Sequence, residues 1–178
     1  MKGASIGESS GPGRAVASAS SASGPRGSDA GRSSPDARTA LFRRPRLIRF
    51  SDCDPAGIVF YPQYFVMFNG LVEDWVSEGL GIGYTSLVIG RRIGLPTVRL
   101  EVDFSAVSRM GDEVVLSLNV ERLGAKSLTL ALDCIGVDGV ARMSMRQVLV
   151  TTSLETHRAI EIPADLRAAI ARAQTAVA

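Results

Sequence analysis

The chain of 178 residues has room for one ordinary domain, with 46% hydrophobic and 21% charged residues. No run of 18 apolar residues is present to span a membrane, and one histidine and two cysteines without ligand spacing argue against a metal site. The net charge of +2 resides in residues 1–40, so the remainder balances 15 bases against 15 acids, which argues against a large nucleic-acid footprint.

Residues 1–40 hold ten Ser, eight Ala, seven Gly, three Pro and no aromatic residue. Such a segment cannot bury enough apolar surface to offset its ordering entropy. A disordered low-complexity tail is expected there, or a stretch ahead of the true start. Its Arg- and Ser-rich make-up faintly resembles a transit peptide, but its glycines and prolines oppose an amphipathic helix. With no signal-peptide core, the cytoplasm is the expected compartment. The folding unit is residues 41–178.

The predicted elements follow in chain order. Arg46 to Phe50 alternates apolar and basic residues and predicts a first strand. Ser51 to Gly57 is rich in turn formers. Phe65, Phe68, Val72, Trp75 and Val76 then recur at spacings of three and four, beside Leu71. This predicts a central helix with a wide apolar face, capped near Gly79.

From Pro96 the period becomes two. Val98, Leu100, Val102 and Phe104 form one apolar row; Val114 to Val120 and Leu128 to Leu132 form two more. Gly111-Asp112, Gly124-Ala125 and Asp138-Gly139 mark turns. Ala141, Met143 and Met145 continue the pattern until Gln147-Val148, where a bulge would fit. Pro163 opens a C-terminal helix. The order predicts an α+β fold whose antiparallel sheet wraps the central helix. The uncovered face and edges of the sheet point to a homo-oligomer.

The stretch with chemical promise is Asp52-Cys53-Asp54-Pro55-Ala56-Gly57-Ile58-Val59-Phe60-Tyr61-Pro62-Gln63-Tyr64-Phe65. Asp54 supplies a carboxylate able to attack an acyl carbon or take a proton from water. The helix start near Tyr61 supplies unpaired N–H groups for an oxyanion. Plainer readings stand beside these. Asp52 and Asp54 both suit turns or caps, and Tyr61 and Tyr64 suit a core or interface. Cys53 suits a small buried position, and Gly57 suits an unusual backbone angle.

That run resembles the signature of the 4-hydroxybenzoyl-CoA thioesterase family, and the likeness extends over roughly Arg46 to Ile170. The resemblance implies the hotdog fold, an acyl-CoA substrate and no cofactor beyond the coenzyme A within that substrate. It implies Asp54 as the catalytic carboxylate and the Tyr61 N–H as the carbonyl-polarising donor. Gly57 becomes the loop glycine that admits the thioester. Lys126, Ser127 and Arg158 resemble the family's contacts to CoA phosphates. Asn69 stands where relatives acting on 4-hydroxybenzoyl groups carry an acid, so the ring-hydroxyl preference is expected to differ. Leu95 stands where some relatives are polar, which implies a more apolar acyl pocket. Pro62 follows Tyr61 where the short-chain, Tol-Pal-associated thioesterases often have His, which favours an aromatic acyl group. The alternatives are such an aliphatic thioesterase, or a non-catalytic acyl-CoA-binding module. A dehydratase would need a histidine near the helix, and His157 is far from it in sequence. The resemblance also implies a dimer or tetramer with sites at subunit interfaces.

Overall fold

A computed structural model describes residues 40–177. The tail expected over 1–40 therefore lies, but for Ala40, outside the described residues. The elements are β1 (Phe42–Leu47), α1 (Pro62–Asp74), β2 (Ile93–Gly94), β3 (Thr97–Phe104), β4 (Glu113–Leu123), β5 (Ser127–Gly136), β6 (Ala141–Val150), β7 (Thr152–Ser153) and α2 (Ala164–Val177). Five strands form one antiparallel sheet in the order β1-β4-β5-β6-β3, and β2 pairs with β7.

The alternation read from the sequence sets which face meets α1. Leu116 and Leu118 of β4, Leu130 and Leu132 of β5, and Met143, Met145 and Leu149 of β6 are buried in one cluster with Phe68, Leu71, Val72, Trp75 and Val76. Each such side chain contributes about 1.5–3 kcal/mol on leaving water. The helix is thus clamped on the sheet by the period-two and period-3.6 patterns meeting on one surface. This is the expected hotdog arrangement.

Four local expectations change. The first strand is Phe42–Leu47, not Arg46–Phe50. Its arginines are tolerated because Arg44 reaches Asp74 and Glu78 on the helix side. Pro45 is tolerated because β1 is a sheet edge. Phe50 instead enters a short 3-10 turn and is 83% exposed.

The helix continues past Asp74 as a wider π-type turn, Trp75–Gly79. Gly79 is not the left-handed cap. A Cβ there would stand 2.8 Å from Trp75 Cδ1 and 3.0 Å from Phe42 Cδ2, so its role is close approach. The left-handed residue is Gly81, with φ +68°. Nothing lies within 4 Å of where its Cβ would stand. Gly81→Ala is therefore expected to cost only backbone strain, about 1 kcal/mol, in urea melts.

The alternation of β6 is not broken at Gln147. Gln147 occupies an inward position in phase with Met145 and Leu149 and is buried. Its amide donates to Thr97 Oγ1 at 2.7 Å, which offsets part of the burial cost. The register slip lies opposite, in β3: Thr97 pairs with Leu149 and Arg99 with Val148, leaving Val98 over.

The last change is small. Pro163 precedes α2 rather than sitting within it. Leu166 and Ile170 of α2 are buried, and Asp165 pairs with Arg91 at 2.7 and 3.0 Å.

Candidate active site

The loop before α1 is a tight, strongly bonded hairpin. Asp52 is its pin. Its carboxylate accepts from Arg49 N–H (2.8 Å) and Arg46 Nη2 (3.2 Å), and its carbonyl accepts from Phe60 N–H (2.9 Å). The capping reading of Asp52 thus describes its contacts. Cys53 forms an isolated antiparallel bridge with Val59, and Ile58 one with Arg109.

Asp54 is next. Its N–H donates to Ile58 O (3.0 Å) and its carbonyl accepts from Gly57 N–H (2.9 Å). One carboxylate oxygen, Oδ1, accepts from Ala56 N–H (2.8 Å). Oδ2 has no partner among the described residues. The Asp-Pro-Ala-Gly turn therefore fixes the carboxylate yet leaves one oxygen available. The turn requires Gly57 at φ +76°, a left-handed conformation that disfavours other residues. Nothing lies within 4 Å of where its Cβ would stand, so the approach to this backbone is open. Burial raises the Cys53 thiol pKa, and the neighbouring Asp52, Asp54 and Asp112 carboxylates raise it further. The thiol stays protonated, which suits the plain reading of Cys53 rather than a nucleophile.

Tyr61 is the N-cap of α1, and Pro62 is its first residue. Proline has no N–H to offer, and Gln63 N–H and Tyr64 N–H turn back to Phe60 O and Tyr61 O. The Tyr61 N–H finds no acceptor among the described residues. It lies at the positive end of the helix dipole. The Tyr61 ring stands edge-on to Phe60, Phe65 and Phe104, with centroids 5.5, 6.3 and 6.3 Å away. With Ile58, Tyr64, Phe104 and the segment Ser105–Ser108, it lines an apolar cleft of about 310 Å³.

Asn69 lies on the exposed face of α1 with Val66, Gly70 and Glu73. It is seven residues beyond Pro62, two turns along the same side, or about 10 Å of helix. Leu95 is half-buried between β2 and β3 and packs against the core; it does not line the cleft.

Lys126, Ser127 and Arg158 gather elsewhere. Gly124 N–H donates to Ser127 O, Thr151 N–H to Lys126 O, and Ser153 N–H to Arg158 O. Lys126 Nζ is 3.5 Å from Ala159 O, beside Arg158. Arg167 of α2, absent from the sequence reading, donates to Gly124 O (2.6 Å) and Ala125 O (3.1 Å). His157 belongs to this same corner, with φ +54°. The Asp54 loop abuts the start of β4, through Val59 N–H to Ser108 O and Gly111 N–H to Ile48 O. The basic corner adjoins its end. The 11 residues of β4 between them run roughly 35 Å along the strand at about 3.3 Å each. One chain therefore holds two separate clusters: Asp54, Gly57, Tyr61 and Pro62 at one end, and Lys126, Ser127 and Arg158 at the other.

Sequence reasoning missed one pair. Tyr64 Oη and Ser108 Oγ are 2.9 Å apart, both buried. A lone serine in a loop offered no signal of that contact. Burial raises the Tyr64 hydroxyl pKa, so it remains a neutral donor.

The thioesterase-like superfamily profile matches residues 48–170. The 4-hydroxybenzoyl-CoA thioesterase of Pseudomonas sp. strain CBS-3 is 27% identical over 66% of this chain and 89% of its own length. A 1,4-dihydroxy-2-naphthoyl-CoA hydrolase of Synechocystis is 26% identical over 47% of this chain, a match that spans only 60% of that relative. A solved gentisyl-coenzyme A thioesterase superposes with TM-score 0.64 and 29% identity, covering 70% of this chain and 98% of that one. A Staphylococcus aureus protein solved with CoA shares the fold at TM-score 0.70 and 16% identity, covering 75% and 84% of the two chains. The chain belongs to the thioesterase-like superfamily, as a hotdog-fold thioester hydrolase.

Proposed function

We propose that the protein hydrolyses aromatic acyl-CoA thioesters to the free acid and coenzyme A. The observation that carries this reading is the Asp54 carboxylate, with one oxygen available, preceding an unpaired Tyr61 N–H on an aromatic cleft. In the reaction, the thioester carbonyl oxygen accepts from the Tyr61 N–H, whose dipole-backed charge stabilises the developing oxyanion. Asp54 takes a proton from the attacking water; alternatively its carboxylate adds first to give an anhydride that water opens. Either route breaks the C–S bond, releases CoA as a thiol and consumes one water. Neither needs a metal or redox cofactor.

The aromatic choice draws on the relatives, whose names specify hydroxybenzoyl, dihydroxynaphthoyl and gentisyl thioesters. Pro62 after Tyr61 and the ring-lined cleft agree with it. Lys126, Ser127 and Arg158 bind the CoA phosphates through charge-assisted hydrogen bonds. They lie at the other end of β4 from Asp54, so in this reading a second copy of the chain supplies them and the active unit is a homo-oligomer. The exposed apolar residues of edge strand β3, Val98, Leu100 and Phe104, offer a surface for that contact.

A thiol-release assay tests the reading, with benzoyl-, 4-hydroxybenzoyl-, 2,5-dihydroxybenzoyl-, 1,4-dihydroxy-2-naphthoyl- and short aliphatic acyl-CoA. Fast turnover of the aryl esters is expected. Preference for the aliphatic esters would instead support the short-chain alternative. Tight binding without turnover of any would make the protein an acyl-CoA-binding module. Asn69 positions the ring substituent on the exposed face of α1. Asn69→Asp is expected to raise the 4-hydroxybenzoyl over benzoyl preference about 10-fold, because a carboxylate accepts a phenol hydrogen bond with charge assistance. An unchanged ratio of kcat/KM values would remove Asn69 from the acyl pocket.

A further inference from the structure

Asp54 and the Tyr61 N–H belong to different elements. The carboxylate hangs from a hairpin; the donor begins a helix. Catalysis by both requires a fixed offset between them, since small misplacements of reacting groups are costly. Something must refer the hairpin and the helix to a common point.

Ser108 is that point. Its carbonyl accepts the Val59 N–H at 2.9 Å, holding the returning arm of the hairpin. The next residue, Arg109, bridges Ile58, whose carbonyl in turn accepts the Asp54 N–H at 3.0 Å. The side chain of the same serine faces the other way. Its Oγ lies 2.9 Å from Tyr64 Oη, one turn into α1 from Tyr61. Tyr64 and Ser108 are 3% and 1% exposed, so water does not substitute for either partner. The Tyr64 ring also packs near Phe104, centroids 6.1 Å apart, which limits its swing.

We propose that the buried Tyr64–Ser108 hydrogen bond is a positioning strut that holds the Asp54 hairpin at a fixed offset from the Tyr61 N–H. The inference rests on the thioesterase reading of that site. Tyr64 and Ser108 also form part of the cleft wall; as a strut they act through the two groups they tie together. Tyr64→Phe keeps the ring and removes only the hydroxyl, and Ser108→Ala keeps the backbone carbonyl that holds Val59.

The test measures kcat, KM and melting temperature for Tyr64→Phe, Ser108→Ala and the double variant on the best aryl-CoA substrate, with Asp54→Asn alongside. Each single variant is expected to lose roughly 10-fold in kcat with a smaller change in KM, because the offset is disturbed more than the cleft wall that both residues help to form. The double variant is expected to be no slower than the slower single, as for two halves of one contact. A purely structural role would lower the melting temperature and leave the kcat of folded protein unchanged; that result overturns the strut. Losses that multiply in the double variant also overturn it. Asp54→Asn separates the two ideas. If it abolishes turnover while Tyr64→Phe and Ser108→Ala are as fast as wild type, the strut fails and the thioesterase reading stands. If Asp54→Asn itself turns over normally, the site reading fails and the strut has nothing to position.

Discussion

Asp54→Asn is expected to lower kcat on the preferred thioester by about 10²–10⁴-fold, the usual worth of a positioned base or nucleophile. At 1.36 kcal/mol per decade, that is about 3–5 kcal/mol of barrier. The amide keeps the shape of the side chain and one carbonyl oxygen. That oxygen can still accept the Ala56 N–H that Asp54 Oδ1 accepts at 2.8 Å. The turn held by Gly57 N–H to Asp54 O is a backbone contact and survives as well. Folding and substrate affinity are therefore expected to change little, so the loss falls on kcat rather than KM. Residual activity would come from the Tyr61 N–H and from binding alone. Turnover of the variant within 2-fold of wild type would remove Asp54 from the chemistry.

The second large effect tests where the phosphate contacts come from. Lys126→Ala with Arg158→Ala is expected to lower kcat/KM about 10²–10⁴-fold, since hydrogen bonds to charged groups contribute about 1.5–3 kcal/mol each. The Asp54→Asn and Lys126→Ala/Arg158→Ala chains are each defective, but at opposite ends of β4. Mixed by joint refolding, they form hybrids in which one interface pairs an intact Asp54 with an intact basic corner. About a quarter of the wild-type sites is expected to return for random mixing into two-fold dimers. No recovery beyond the sum of the parents would place Asp54, Lys126 and Arg158 of one working site on the same chain. Rising ionic strength should weaken the phosphate contribution and narrow the gap between wild type and the double variant.

Much of this protein is legible from residue order because its patterns are local. The inward rows of β4, β5 and β6 and the apolar face of α1 repeat at periods of two and 3.6, and those periods have one geometric meaning each. The Asp-Pro-Ala-Gly turn, the Gly57 conformation and the Pro62 helix start are likewise short-range chemistry. They put a carboxylate on the hairpin and a free N–H at the helix start that follows it. The errors have non-local causes. Arg44 hid β1 from the apolar count because its partners, Asp74 and Glu78, are 30 or more residues away in the chain. Gln147 looked like a break because its hydrogen-bond partner, Thr97, lies on another strand.

The sequence by itself determined the α+β architecture and the superfamily, since both rest on local periodicities and on one continuous motif. Only the tertiary structure decided three things. It set Lys126, Ser127 and Arg158 at the far end of β4 from Asp54, joined Tyr64 to Ser108, and carried Phe104 to the wall of the cleft. These are contacts between residues distant in the chain. They depend on strand register and on the angle at which α1 crosses the sheet, which side-chain packing selects and no short motif encodes.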